Sequence, residues 1–208
     1  MRFRDRTEAG MQLAEKLQEY AHSSDTIVLG LPRGGVVVGS EIAKRLDVSL
    51  DIIIVRKIGA PFNQEFAVGA LTVGGTIYLN KQLMDKMGLS VHDITPTIEL
   101  EQKEAQRREQ KYRSGREPLD LKDKVVILVD DGIATGATMY AAIMASKALQ
   151  AKKIIVAAPV MPTSVFKQFS QEVDQVVCLF HTDEFYGIGQ FYDSFTQVSD
   201  DQIVQLLS

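Results

Sequence analysis

The chain has 208 residues, 45% of them hydrophobic and 24% charged, with a formal net charge of −4. That is the balance of one soluble globular domain, and the acidic excess argues against nucleic acid as a partner. A single cysteine excludes an internal disulfide and a cysteine-rich metal site, and His22, His92 and His181 show no metal-ligand spacing. No apolar run is long enough to span a bilayer and the opening residues hold no signal-peptide core, so a cytoplasmic setting is expected.

Residues 5–20 read as an amphipathic helix, with Met11, Leu13, Ala14 and Leu17 as its packed face. Residues 26–29 form a strand that runs into Gly30-Leu31-Pro32-Arg33-Gly34-Gly35, a stretch no regular element tolerates. A helix follows over 36–46 and a buried strand over 51–55, which ends at the adjacent cations Arg56 and Lys57. Residues 67–73 and 76–79 flank Gly74-Gly75 as a hairpin. Residues 97–117 are dense in balanced charge, as in a solvated helix. A functional alternative there has Arg107, Arg108 or Arg113 reaching a ligand phosphate or a partner subunit.

Further strands are expected at 124–129, 153–158 and 174–179, with helices over 136–150 and 163–171. An aromatic run spans 185–192, and Ser199 caps a last helix. Cys178 sits in an apolar strand and reads as a small buried hydrophobe; His181 reads as a loop residue. Alternating strand and helix imply an α/β fold, a parallel sheet covered on both faces, with ligands at the carboxyl ends of the strands.

The most informative stretch is Val125-Val126-Ile127-Leu128-Val129-Asp130-Asp131-Gly132-Ile133-Ala134-Thr135-Gly136-Ala137-Thr138. A buried strand ends in two carboxylates, a loop of small and hydroxylated residues follows, and a helix begins. Free N–H groups and the positive helix end make an anion site, which Gly132 and Gly136 let a phosphate approach. Thr135 and Thr138 add hydroxyl donors. The carboxylates repel a phosphate but accept hydrogen bonds from neighbouring hydroxyls, so a sugar phosphate satisfies both halves. A Walker-type nucleotide loop is excluded, because no Gly-Lys-Ser/Thr is present.

This motif resembles the ribose 5-phosphate site of type I phosphoribosyltransferases. The resemblance implies a doubly wound, mainly parallel sheet in one domain over 1–208. The core sheet would lie at about 22–180 and a flexible β-hairpin lid at about 58–79. A small hood lobe would come from the termini and about 181–195. It implies that Asp130 and Asp131 hold the 2- and 3-hydroxyls of phosphoribosyl pyrophosphate (PRPP), and that Gly132, Ile133, Ala134, Thr135, Gly136, Ala137 and Thr138 cradle its 5-phosphate. Leu31-Pro32-Arg33-Gly34-Gly35 looks like the family's pyrophosphate loop, with Arg33, Gly34 and Gly35 as contacts and a cis peptide between Pro32 and Arg33. Arg56 and Lys57 would face the same leaving group and, with the two aspartates, form the catalytic set.

Mg²⁺ is the implied cofactor, held by Asp130 and Asp131 directly or through water, with Asp193 as a weaker metal contact. Glu65 in the lid is a candidate substrate contact. Phe185 and Tyr186 are the candidate acceptor pocket, since aromatic rings stack on bases. The aspartate of the 6-oxopurine branch is replaced here by Ala134, and the motifs recur in a group of phosphoribosyltransferase-domain proteins with no named substrate. The leading expectation is transfer to a nitrogenous base by a homodimer, with no nucleic acid or membrane partner. The alternatives are a PRPP or nucleotide sensor without turnover, and a partner protein with a vestigial site.

Overall fold

The computed structural model describes residues 2–208; the side chain of Glu65 lies outside the described residues. The elements in chain order are α1 (Arg6–Lys16), β1 (Thr26–Gly30), α2 (Gly34–Leu46), β2 (Ser49–Ile52), β3 (Val55–Ala60), β4 (Asn63–Thr72), β5 (Ile77–Leu79), α3 (Lys81–Lys86), α4 (Val91–Tyr112), β6 (Val125–Val129), α5 (Ala137–Ala148), β7 (Lys153–Pro162), α6 (Thr163–Phe169), β8 (Gln175–Thr182) and α7 (Asp200–Leu207). Among the described residues no helix is long and apolar enough to cross a membrane.

Five strands form a parallel sheet in the order β2-β1-β6-β7-β8. Alternation along each strand sends side chains to two separate cores. Leu29, Leu128 and Val156 pack with α5 and α6 on one face. Val28, Ile127 and Ile155 pack with α1 and α2 on the other, through Leu13, Ala14, Val38 and Ile42. Burial on both faces is why these strands read as unbroken apolar runs. The order reverses between β1 and β6, whose carboxyl ends carry the two glycine loops, so both loops open into one crevice.

β3, β4 and β5 form a separate antiparallel sheet. Residues 58–79, expected as a lid, are therefore regular strand for most of their length. Ile58, Ala60, Val68 and Leu71 are buried in a third core with Ile94, Ala105 and Tyr112 of α4 and Ile203 and Leu207 of α7. Register shifts around Gly59 bend the β3–β4 pair, and Phe62 at its tip is exposed. The turn at Gly74-Gly75 is where the sequence places it: Gly75 has φ +80° and donates to the Thr72 carbonyl. The charged helix α4 begins at Val91, earlier than its charge density suggests, behind a capping box of Ser90 and Asp93.

The hood forms where the first residues of the chain meet residues 188–192. Phe3 bridges to Tyr192, and its N–H donates to the Phe191 carbonyl at 2.7 Å. Phe3, Phe191, Tyr192 and Val160 make a small fourth core, with Phe185 and Ile188 packed against it.

Candidate functional site

β6 delivers Asp130 and Asp131 to its carboxyl end, on the side where β1 turns into the Pro32-Arg33-Gly34-Gly35 loop. The peptide bond between Pro32 and Arg33 is cis, as the resemblance implies. Both glycines lie against the acid pair. A Cβ on Gly34 would stand 1.8 Å from Asp131 Oδ2, and one on Gly35 would stand 2.4 Å from the Val129 carbonyl oxygen and 2.8 Å from Asp130 Cα. Any other residue would push the loop off the strand, so the Gly-Gly pair is a packing requirement as well as an anion loop. Among the described residues the N–H groups of Gly34 and Gly35 have no protein acceptor.

Asp130 Oδ1 accepts from the Asp131 N–H at 2.9 Å. Asp131 accepts at Oδ2 from Arg6 Nε at 2.7 Å, and both side chains are only 11% exposed. Arg6 also donates from a terminal nitrogen to the Thr196 carbonyl at 2.8 Å and lies 4.0 Å from the centre of the Phe195 ring. Tyr192 donates its hydroxyl to the Asp131 carbonyl oxygen at 2.7 Å. Burial, together with the neighbouring Asp131 charge, pushes the Asp130 carboxyl well above the usual carboxylate range. Burial also raises Asp131, against the pull of the Arg6 guanidinium. Among the described residues Arg6 is the one cation hydrogen-bonded to the pair, so a hard cation or hydroxyl donors arriving there would favour the charged carboxylates that burial disfavours.

The loop after the acid pair has two halves. Gly132 is packed, since a Cβ there would come within 2.5 Å of Ile188, and Ile133 is buried with its N–H on the Val160 carbonyl. Ala134, Thr135 and Thr138 are exposed. Gly136 caps α5 at φ +78°, a left-handed position that favours glycine. Among the described residues the N–H groups of Ala134, Thr135 and Gly136 have no protein acceptor, so the open half of the loop is a nest for an anion. A cavity of about 250 Å³ adjoins it, walled by Tyr78 and Tyr140, whose hydroxyls lie 3.4 Å apart.

Between the loops lies a cavity of about 200 Å³ lined by Leu31, Pro32, Arg56, Lys57, Arg108 and Thr138 among others. Arg56 donates from Nε to Glu101 at 2.5 Å. Arg33 is exposed at the turn, and its charge acts on Tyr112 and Asp200 at the α4–α7 face. Of the three arginines weighed in α4 and just beyond, only Arg108 lines the cavity. Arg113 is buried and paired with Asp51 and Glu109, and Arg107 stands 58% exposed on Glu104.

The hood divides the acceptor candidates. Phe185 packs on Phe191 with ring centres 5.4 Å apart, while Tyr186 is 90% exposed. Asp193 is also at the surface, paired with Arg2 at 3.0 Å. Arg6 and Phe195 are the residues at the acid pair that sequence reasoning missed, while Tyr192, the end of the aromatic run, holds the Asp131 carbonyl instead of facing an acceptor. Arg6 lies in a helix read only for its apolar face, and Phe195 lies just beyond the aromatic run.

A family model described as the phosphoribosyl transferase domain matches residues 4–175. The Mycobacterium tuberculosis H37Rv protein named "Putative phosphoribosyl transferase Rv0571c" is 40% identical over 205 residues, which is 99% of this chain and 46% of that protein. Its counterpart in strain CDC 1551 matches equally. The chain thus spans about half the length of the curated relatives it matches. The crystal structure of TT1426 from Thermus thermophilus superposes with a TM-score of 0.90 at 36% identity, covering 100% of this chain and 98% of that one. The AQ2163 protein of Aquifex aeolicus, at 13% identity, covers 97% of this chain and 84% of that one with a TM-score of 0.53, a likeness of fold alone.

Proposed function

The chain belongs to the phosphoribosyl transferase domain family, and on that premise we propose that it transfers the ribose 5-phosphate of PRPP to a ring nitrogen of a base, releasing pyrophosphate. One observation carries this reading: two glycine loops with open N–H groups converge on one acid pair, with a cavity lined by three cations beside them. A sensor of a nucleoside monophosphate has no use for the cationic cavity.

In this reading the open loop from Ala134 to Thr138 holds the 5-phosphate. Asp130 and Asp131 accept from the ribose hydroxyls. The Gly34-Gly35 loop, Arg56 and Lys57 hold the diphosphate. The bond from C1 to the diphosphate oxygen breaks and its electron pair leaves with the diphosphate. A ring nitrogen then bonds C1 and its proton passes to water. The protein's work is to hold the two reactants in line and to meet the charge growing on the leaving oxygens with fixed donors and cations. The oxygen-only donor set of Asp130 and Asp131, short of positive charge, fits Mg²⁺, which would draw charge from the leaving diphosphate. Phe195 and Phe185 border the acceptor side, and a homodimer is the working assembly.

The test is pyrophosphate release from Mg²⁺·PRPP against a panel of purines, pyrimidines and related heterocycles. Release that needs an acceptor and is lost in Asp131→Ala supports transfer. Binding of PRPP without acceptor-dependent release points instead to a sensor.

A further inference from the structure

We infer that α4 supplies a binding residue for the leaving group: Arg108 contacts the diphosphate, and Glu104 and Glu101 hold Arg108 and Arg56 beside its cavity until it arrives. This rests on the reading of the cavity as the leaving-group site, and it assigns that role to a helix outside both glycine loops.

The cavity carries the first part of the inference. Its charged lining is Arg56, Lys57 and Arg108, with Thr138 as a hydroxyl, and no carboxylate is among the described residues that line it. Arg56, Lys57 and Arg108 border about 200 Å³ of open space, and an anion entering it comes within reach of donors from all three. A ligand with several negative charges can meet all three at once. Arginine suits phosphate oxygens because its planar fork donates two parallel hydrogen bonds.

The spacing on α4 carries the second part. Glu101, Glu104 and Arg108 sit at i, i+3 and i+7, one stripe of one helix. Glu101 accepts from Arg56 at 2.5 Å, and Glu104 accepts from Arg108 at 2.8 Å. Two cations of the cavity are therefore tethered to carboxylates just outside its lining. The tether keeps each guanidinium oriented when the cavity holds no anion, which lowers the ordering needed at binding.

Arg107 is a built-in control. It is the next residue, and it pairs with the same Glu104 at 2.8 Å, but it does not line the cavity. Removing either arginine leaves Glu104 paired with the other. Arg107→Ala and Arg108→Ala therefore differ in access to the cavity far more than in helix or ion-pair disturbance.

The experiment is calorimetric titration of the full chain with inorganic pyrophosphate and, separately, with ribose 5-phosphate, both in Mg²⁺ buffer. Arg108→Ala is expected to weaken pyrophosphate about tenfold or more, the size of one lost charged hydrogen bond. It should leave ribose 5-phosphate within about twofold, and Arg107→Ala should leave both within about twofold. Arg108→Lys keeps the charge without the fork and should fall between wild type and Arg108→Ala, which guards against a folding defect in the alanine variant. Unchanged pyrophosphate affinity in Arg108→Ala, or an equal loss for ribose 5-phosphate, overturns the role of Arg108 while the cavity assignment stands. A wild-type chain that binds ribose 5-phosphate but not pyrophosphate overturns the cavity assignment and this inference with it.

Discussion

Arg6 and Asp131 lie 125 positions apart in sequence, yet Arg6 Nε donates to Asp131 Oδ2 across 2.7 Å in a setting where both side chains are nearly buried. The pair ties the first helix to the end of β6, beneath Phe195 and against the Gly34 backbone. Removing the guanidinium leaves a buried carboxylate unpaired, which costs about 3 kcal/mol. Arg6→Gln should lower the melting temperature by about 6–12 °C in a chain of this size. Adding Asp131→Asn to it should recover part of the loss, because the orphaned charge goes with it. A double-mutant cycle of thermal melts measures the coupling.

The second glycine of the Arg33-Gly34-Gly35 turn has no room for a side chain. A Cβ on Gly35 meets backbone atoms of Val129 and Asp130, which cannot swing aside as a side chain would. Gly35→Ala should destabilise by about 1–3 kcal/mol in urea unfolding and weaken ribose 5-phosphate binding as Asp130 shifts. Gly74→Ala is the contrast. The nearest atom to its Cβ is 4.0 Å away, and its effect should stay within about 0.5 kcal/mol.

The arginines of α4 and its end separate by burial. Arg113, 5% exposed, pairs with Asp51 of β2 at 3.0 Å and with Glu109 at 2.8 Å. Arg113→Ala takes away the two-pronged partner of nearly buried Asp51 and leaves it only Arg116 at 3.3 Å, which should cost about 3 kcal/mol in urea unfolding. Arg107→Ala, at a surface pair, should cost less than about 1 kcal/mol.

Burial pushes the Cys178 thiol up to about 11, against 9.0 for the free group. Native protein at pH 8 then holds about one thiolate in a thousand, and iodoacetamide labelling followed by mass spectrometry should be slow until urea is added. The sign for stability follows from the same shift. The unfolded chain loses this proton first, so the contribution is whole below pH 9 and fades as pH rises through 11. Cys178→Ala should flatten that part of the stability curve.

The parallel sheet and the acid-pair loop were legible because their signals are local. Val125 to Val129 is an apolar run that only a strand buried on both faces explains, and the acids and glycines after it lie within seven residues of a helix start. The β3–β4 pair was less legible. Gly59, Pro61, Asn63 and Gln64 interrupt the two-residue alternation, and the pairing is bent by register shifts that leave no mark in composition. Arg6 was illegible for a different reason. A charged residue near the start of an amphipathic helix looks solvated, and its partner is fixed only by the packing of α1 under the sheet. Arg108 fell between the two: its chemistry was evident, but which of three arginines lined the cavity depended on helix phase against the cavity wall.

The joining of Phe3 and Arg6 to residues 191–196 at the hood also sets an order of events during synthesis. Asp131 is held by Arg6 from the first helix, by the Tyr192 hydroxyl, and through Arg6 by the Thr196 carbonyl. The sheet strands through β8 leave the ribosome before Tyr192 and Thr196 do, and contacts across 61 to 190 positions close late because their loops are long. A nascent chain can therefore own its whole central sheet while its acid pair is still loosely held. Within these residues the acid pair is fixed in place after the central sheet has become compact.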